Sequence, residues 1–218
     1  MLDYAVEYEL TDKNYARTFE ISDSILKERE DAKRSHISFS DAELQILWKN
    51  KTLPFCDMVL IQCYSGWRPQ ELATLKLSNI DLKSGIMIGG MKTTSGTNRT
   101  VPIHPAVRKF IENRYNEAAQ LGSEYLFNDV NAVKGGFKMT YDKYAGRFDK
   151  IMNECGIKDH RPHDPRKTFV TLAKKYNVDE YAVKRIIGHN ISDITEKVYT
   201  DRDLKWLIDE MNKIKVEE

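Results

Sequence analysis

One tetrad, His163-Asp164-Pro165-Arg166, sets an imidazole and a guanidinium three residues apart at what reads as the first turn of a helix. Asp164 is placed to cap that helix and Pro165 to occupy its first position, so that His163 and Arg166 point toward one site beside free backbone N–H groups. A cation and an imidazole at such a place suit a phosphate oxygen. Arg68 adds a second guanidinium at another predicted helix start, Pro69-Gln70-Glu71-Leu72, with Glu71 one turn on to orient it and Trp67 as an apolar wall over the pocket. Lys92 falls in a Gly-, Thr- and Ser-rich connection between two predicted strands, from which an ammonium can donate a proton to a departing sugar oxygen. His189 follows the predicted helix end Ile186-Ile187-Gly188, and Tyr199 lies ten residues further on. A tyrosine hydroxyl attacks phosphorus only where its proton is removed and the developing charge is stabilised, which arginines and imidazoles supply.

Taken singly, each of these residues has an ordinary reading. The tetrad can be a helix cap with surface charges, Arg68 an ion pair with Glu71, Lys92 a solvated turn lysine, and Tyr199 a core-edge aromatic among 11 tyrosines. Other motifs fall short on their own terms. Gly89-Gly90-Met91-Lys92-Thr93 resembles the end of a phosphate-binding loop, but Met91 separates glycine from lysine and no helical pattern follows, which argues against ATP or GTP. Cys155, His160 and His163 lack a fourth ligand at suitable spacing for zinc, and no acidic cluster suits a two-metal nuclease. Phosphodiester chemistry here would have to stabilise charge with side chains, without a metal or other cofactor.

The elements that would position these groups are mostly helices. Ser40-Asp41-Ala42-Glu43 is a capping-box pattern before Leu44, Leu47 and Trp48 at helical spacing. A second helix is predicted from about Pro54 through Cys63, interrupted by Gly66, and a third from Pro69. Between Ile80 and Ile103 the period changes, giving short strands at Ile86-Met87-Ile88 and Thr100-Val101-Pro102-Ile103. Helices are expected again over 105–120, 140–155, 165–176, 179–187 and 203–214. The fold class is therefore α+β, mainly α, with a small antiparallel sheet and no βαβ repetition.

With 218 residues, 41% of them hydrophobic, the chain can bury a sizeable core in one principal domain, and residues 1–35 are too polar and too few to form a second. The three cysteines, Cys56, Cys63 and Cys155, show no paired spacing and read as reduced. There is no 18-residue apolar run and no export signal at the start, so the expectation is a cytoplasmic protein away from membranes. The formal charge is only +1, but residues 143–175 hold nine Lys or Arg against four Asp or Glu, whereas residues 201–218 hold four basic and six acidic ones. Such a patch can attract phosphate without making the whole surface adhesive, although a solvated helix face reads the same way.

In this order and spacing, Gly66-Trp67-Arg68-Pro69-Gln70-Glu71-Leu72, Lys92-Thr93, His163-Asp164-Pro165-Arg166-Lys167-Thr168-Phe169, Gly188-His189 and Tyr199-Thr200 resemble the signatures of the tyrosine recombinases, the phage integrase family. Within it the sequence is most similar to integrases of conjugative transposons from Gram-positive bacteria. The resemblance spans about residues 36–200. It departs from the pattern at Lys167, where histidine is common, and at Pro165, where leucine is usual.

The resemblance implies the tyrosine recombinase catalytic-domain fold over 36–218, preceded in 1–35 by the trailing segment of a core-binding domain and a linker. It implies strand exchange on double-stranded DNA at transposon ends and target sites, through a 3′-phosphotyrosyl intermediate on Tyr199, for excision and integration of mobile DNA. Arg68 and Arg166 would clamp the phosphate, Lys92 protonate the leaving oxygen, His163 assist proton transfer and His189 hydrogen-bond the phosphate, with Glu71 and Asp164 in support. The full-length protein would act as a homotetramer on DNA, with an accessory DNA-bending protein as a further partner. The alternatives are nicking and resealing like a type IB topoisomerase, or a DNA-binding module without catalysis.

Overall fold

The chain divides into a short N-terminal unit ending at Ser35 and a main unit beginning at His36. A computed structural model describes residues 2–17, 35–91, 96–191 and 204–216. The N-terminal unit contains helix α1 (Leu2–Glu7) and a 3-10 turn, Tyr15–Arg17, neither of which buries a residue. Tyr4 and Tyr8 stack on each other with ring centroids 4.1 Å apart.

In the main unit, Ser40 opens α2 (Asp41–Lys49) with the expected reciprocal cap: Glu43 N–H donates to Ser40 Oγ, and Ser40 N–H donates to Glu43 Oε2 at 2.8 Å. Helix α3 (Cys56–Cys63) starts two residues later than Pro54, because Phe55 takes a left-handed conformation at φ +66° and redirects the chain. Every residue of α3 is buried, including Asp57 and Gln62, so it is the central rod of the core rather than an amphipathic surface helix. Helix α4 (Pro69–Ala73) begins at Pro69 with Arg68 as its N-cap, as the sequence pattern indicates.

The sheet has three strands, β1 (Ile80–Asp81), β2 (Ile86–Gly89) and β3 (Arg99–Pro102), all antiparallel and in sequential order. Met87 faces Val101 and Gly89 faces Arg99 in the register. The two-residue β1 is not anticipated by the sequence: it is too short to show an alternation of its own and exists by pairing Ile80 with Met87.

Helices α5 (Pro105–Leu121), α6 (Tyr141–Glu154), α7 (Asp164–Lys175) and α8 (Glu180–Ile187) follow, and the described chain resumes in α9 (Leu204–Met211). Helix α3 packs against both α5 and α7, while α8 packs against β3. Phe127, Phe148 and Phe169 are wholly buried around these contacts, each contributing about 2–3 kcal/mol of transfer free energy.

One local expectation is corrected at α7. His163, not Asp164, is the residue preceding the helix, and Pro165 is its second residue rather than its first. Asp164 Oδ2 accepts from the N–H of Arg161, ahead of the helix, so its carboxylate braces the approaching loop.

Helix α9 packs within the same chain, against α8 and β3. Leu207, Met211 and Ile214 are buried, Glu210 Oε2 accepts the N–H of Asp179 at 2.7 Å, and the carbonyl of Ile214 accepts from His104 Nε2 at 2.8 Å. No helix among the described residues is long and apolar enough to cross a membrane.

Candidate active site

Glu71 lies one turn into α4, where the helix geometry returns its side chain toward Arg68. Its Oε1 accepts from Arg68 Nη1 at 2.9 Å and from the N–H of Met91 at 3.3 Å, and its Oε2 accepts from Arg99 Nη2 at 2.6 Å. Burial alone would raise the carboxyl, but Arg99 and then Arg68 outweigh it and hold Glu71 below its ordinary range. Glu71 is therefore an anionic bracket between two guanidinium groups.

Arg166, in the first turn of α7, is only 9% exposed. It spends Nη1 on the carbonyl of Gly66 and Nη2 on the carbonyl of Ile187, both at 2.6 Å. Gly66 has φ +67°, and a Cβ there would meet the Phe169 ring at 2.6 Å, so no other residue can present that carbonyl without moving the core. Burial first, and then the charges of Arg68 and Arg99, push Arg166 down to about 9, with Glu71 opposing. It stays cationic at neutral pH, and an anion arriving beside it relieves both penalties.

Helix α8 ends in a left-handed Gly188 at φ +68°, with the N–H groups of Gly188 and His189 donating back to Arg185 and Lys184. This reversal delivers His189 to the same place. Burial, followed by Arg166, Arg68 and Lys184, lowers the His189 imidazole, which favours its neutral form.

His163 stands at the start of α7 with its ring 5.5 Å from that of His36. Asp164, 2% exposed, accepts from His36 Nδ1 at 3.0 Å on one oxygen and lies 3.3 Å from His160 Nδ1 on the other. His160 stacks on Phe39 at 3.9 Å and reaches Glu43 Oε1 at 3.2 Å. These contacts with Phe39, Glu43 and Asp164 give His160 a structural post behind the site.

The loops carrying Arg68 and His163 are joined from beneath by Gln62, whose Nε2 donates to the carbonyls of Trp67 at 3.1 Å and Pro162 at 3.0 Å while Tyr144 donates its hydroxyl to Oε1. Trp67 is fully buried under the Arg99 guanidinium, 4.2 Å from its ring, so the apolar wall expected over the pocket lies beneath Arg99 instead.

Two adjoining grooves open here. One of about 370 Å³ is lined by Arg68, Gln70, Glu71, Met91, Tyr141 and His163, and the other, of about 400 Å³, by residues including His36, His163, Arg166, Lys167, Lys184 and His189. His163 borders both. The fold thus brings together four of the six expected catalytic residues, Arg68, His163, Arg166 and His189, with Glu71 and Asp164 behind them. Lys92 and Tyr199 lie outside the described residues. Sequence reasoning missed Arg99 and His36. A lone arginine entering a strand and a histidine in an extended segment show no pattern until tertiary contacts reveal them.

Residues 40–205 match the model of the phage integrase family. Tyrosine recombinase XerA of Thermococcus kodakarensis is 28% identical over 171 residues, 73% of this chain and 55% of that protein. Tyrosine recombinase XerC of Thermodesulfovibrio yellowstonii is 27% identical over 160 residues, 68% of this chain and 50% of that one, so the chain spans about half the length of these curated relatives. Among solved structures, the integrase of mycobacterium phage Brujita superposes with a TM-score of 0.62 at 18% identity, over 85% of this chain and 59% of that one. The Tn1549 transposon integrase in complex with circular intermediate DNA gives 0.58 at 20% identity, over 83% and 66%. The main unit has the helical architecture and small antiparallel sheet of these catalytic domains, and the chain belongs to the phage integrase family of tyrosine recombinases.

Proposed function

We propose that this chain breaks and rejoins double-stranded DNA by transient covalent attachment through Tyr199, in excision and integration of a mobile element. The observation that carries the reading is the convergence of Arg68, His163, Arg166 and His189 on adjoining grooves, with Arg166 buried and cationic beside a second guanidinium. Such a site is unfavourable when empty and suited to a phosphate whose oxygens accept charge-assisted hydrogen bonds from both guanidinium groups.

In the proposed reaction the Tyr199 oxygen attacks the scissile phosphorus, forming a 3′-phosphotyrosyl bond as the bond from phosphorus to the 5′ oxygen breaks. His163 assists removal of the tyrosine proton, Lys92 supplies the proton that leaves with the 5′-hydroxyl, and Arg68, Arg166 and His189 hold the non-bridging oxygens. Glu71 and Asp164 fix their neighbours. A 5′-hydroxyl from another strand then reverses the step, so the phosphodiester energy is retained without a nucleotide cofactor. The basic run over 143–175 supports contact with the DNA backbone. Residues 1–35 are proposed to be the end of a core-binding domain with its linker, and the active assembly a homotetramer on DNA, assisted by a DNA-bending protein. The likeness to the Tn1549 transposon integrase in complex with transposon right end DNA supports transposon ends as the substrate class.

The test is a denaturing gel on nicked DNA that loses a short 5′-hydroxyl fragment after cleavage. A slow-migrating adduct formed without magnesium and lost in Tyr199→Phe is the expected result. Equal adduct from Tyr199→Phe would remove the nucleophile assignment, and strand transfer to a second, distinguishable duplex separates recombination from simple resealing.

A further inference from the structure

Arg99 is buried, with only 3% of its side chain exposed, and cannot itself reach a DNA phosphate in this arrangement. All three of its nitrogens are nevertheless engaged, each with a different part of the site. Nη2 donates to Glu71 Oε2 at 2.6 Å, Nε to the carbonyl of Ile186 at 2.8 Å, and Nη1 to the carbonyl of Gly96 at 3.1 Å. The face of the guanidinium covers Trp67, the residue before Arg68.

Those contacts span α4, the end of α8 and the β2–β3 hairpin, three elements distant in sequence that one side chain joins here. The hairpin carries Lys92 in its connection by sequence, and Gly89, its last β2 residue, pairs with Arg99 itself. Ile186 lies three residues before His189. An arginine suits this post because its planar fork satisfies three acceptors at fixed angles, whereas lysine offers one compact ammonium.

We propose that Arg99 is a positioning residue for the DNA-cleavage step, holding Glu71 so that Glu71 in turn fixes the fork of Arg68, and tying the lysine-bearing hairpin to the helix end that presents His189. This rests on the cleavage reading above. Without Arg99, Glu71 would face Arg68 with one cation fewer, drawing that guanidinium inward and away from the groove. Displacement of about 1 Å at a phosphate clamp is enough to slow chemistry about 100-fold while leaving backbone contacts to DNA in place.

The experiment is a double-mutant cycle on single-turnover adduct formation and DNA affinity, using wild type, Arg99→Met, Arg99→Lys, Glu71→Gln and the two combinations with Glu71→Gln. The expected result is a roughly 100-fold lower cleavage rate in Arg99→Met with unchanged DNA affinity, partial recovery in Arg99→Lys, and a much smaller additional loss when Arg99→Met is placed on Glu71→Gln. If Arg99→Met fails to fold, Arg99→Lys with and without Glu71→Gln decides the same question. Wild-type cleavage in the folded Arg99 variants, or a loss that is the same in both Glu71 backgrounds, overturns the proposal. Absence of adduct from wild type itself on a bound site overturns instead the cleavage reading on which it depends.

Discussion

Arg99 and Arg166 hold consecutive carbonyls at the end of α8: Arg99 Nε donates to Ile186 at 2.8 Å and Arg166 Nη2 to Ile187 at 2.6 Å. A helix C-terminus leaves its last carbonyls without partners, and two cations approaching from opposite elements satisfy them while complementing the negative end of the helix dipole. The same two bonds fix where His189 emerges. The site is thus assembled by structural hydrogen bonds from groups that also carry its charge.

Arg166 should therefore fail in two measurable ways. Arg166→Ala leaves the Gly66 and Ile187 carbonyls without their donor, a loss of about 1–3 kcal/mol by denaturant melting, and removes the proposed phosphate contact, which would be worth about 10²–10³ in cleavage rate. A variant with unaltered stability would show that the two carbonyls have another partner in solution.

Gly188→Ala tests the reversal at the end of α8. Its φ of +68° disfavours any Cβ by about 1–2 kcal/mol, and the new methyl would stand 2.7 Å from Gly96 Cα and 3.0 Å from Arg99 Cδ. Backbone lies on one side, so the hairpin must shift. Thermal melting should register the strain, and single-turnover cleavage should fall more than DNA affinity does.

Acid sensitivity should arise in part at His104. Its Nδ1 accepts the Ala106 N–H that caps α5 and its Nε2–H donates to Ile214, so the neutral ring is what the fold uses. Burial lowers it below 6.5, its bond to Ile214 opposing. The unfolded chain then binds more protons than the folded one, so stability is full above about pH 6.5 and declines as pH falls from there toward the depressed folded value. Denaturant unfolding followed from pH 7.5 to 5 should show this decline, reduced in His104→Asn, with the remainder including His189, whose shift has the same sign.

A control for stability without chemistry is the fork between Arg114 and Asp57, with Nε to Oδ2 at 2.6 Å and Nη2 to Oδ1 at 2.8 Å. Arg114→Met strands a carboxylate on the central helix and should cost about 3–5 kcal/mol. Measured well below its melting point, the variant should still form the covalent adduct at the wild-type rate, since neither residue lines the two grooves.

Much of this was readable in the chain because local rules dominate where the motifs sit. Pro69 after Arg68, the Ser40–Glu43 box and Gly188 after Ile187 each mark a helix end by backbone chemistry that needs no tertiary partner. Arg68, His163, Arg166 and His189, which the fold brings onto two adjoining grooves, stood out in the sequence through their order and spacing. The brace made by Arg99 was not, because an arginine in a strand looks like a surface residue until Glu71 and the end of α8 are brought to it. His36 is a parallel case, acquiring meaning only beside Asp164. At His163, a cap was expected on Asp164, and the loop's demand for an acceptor at Arg161 won instead.

Gln62 uses both hydrogens of a single amide nitrogen to hold two loops that sequence places far apart, one just before Arg68 and one just before His163. Asparagine is a methylene too short to serve both, and an apolar residue would strand the buried carbonyl of Trp67 and the half-buried one of Pro162 at once. The two motifs are consequently not free to drift separately: a change that lengthens or tilts either loop is felt by the other through one side chain. Transplanting the arginine motif or the histidine motif alone from a distant homologue should fail more often than transplanting both together with their shared glutamine.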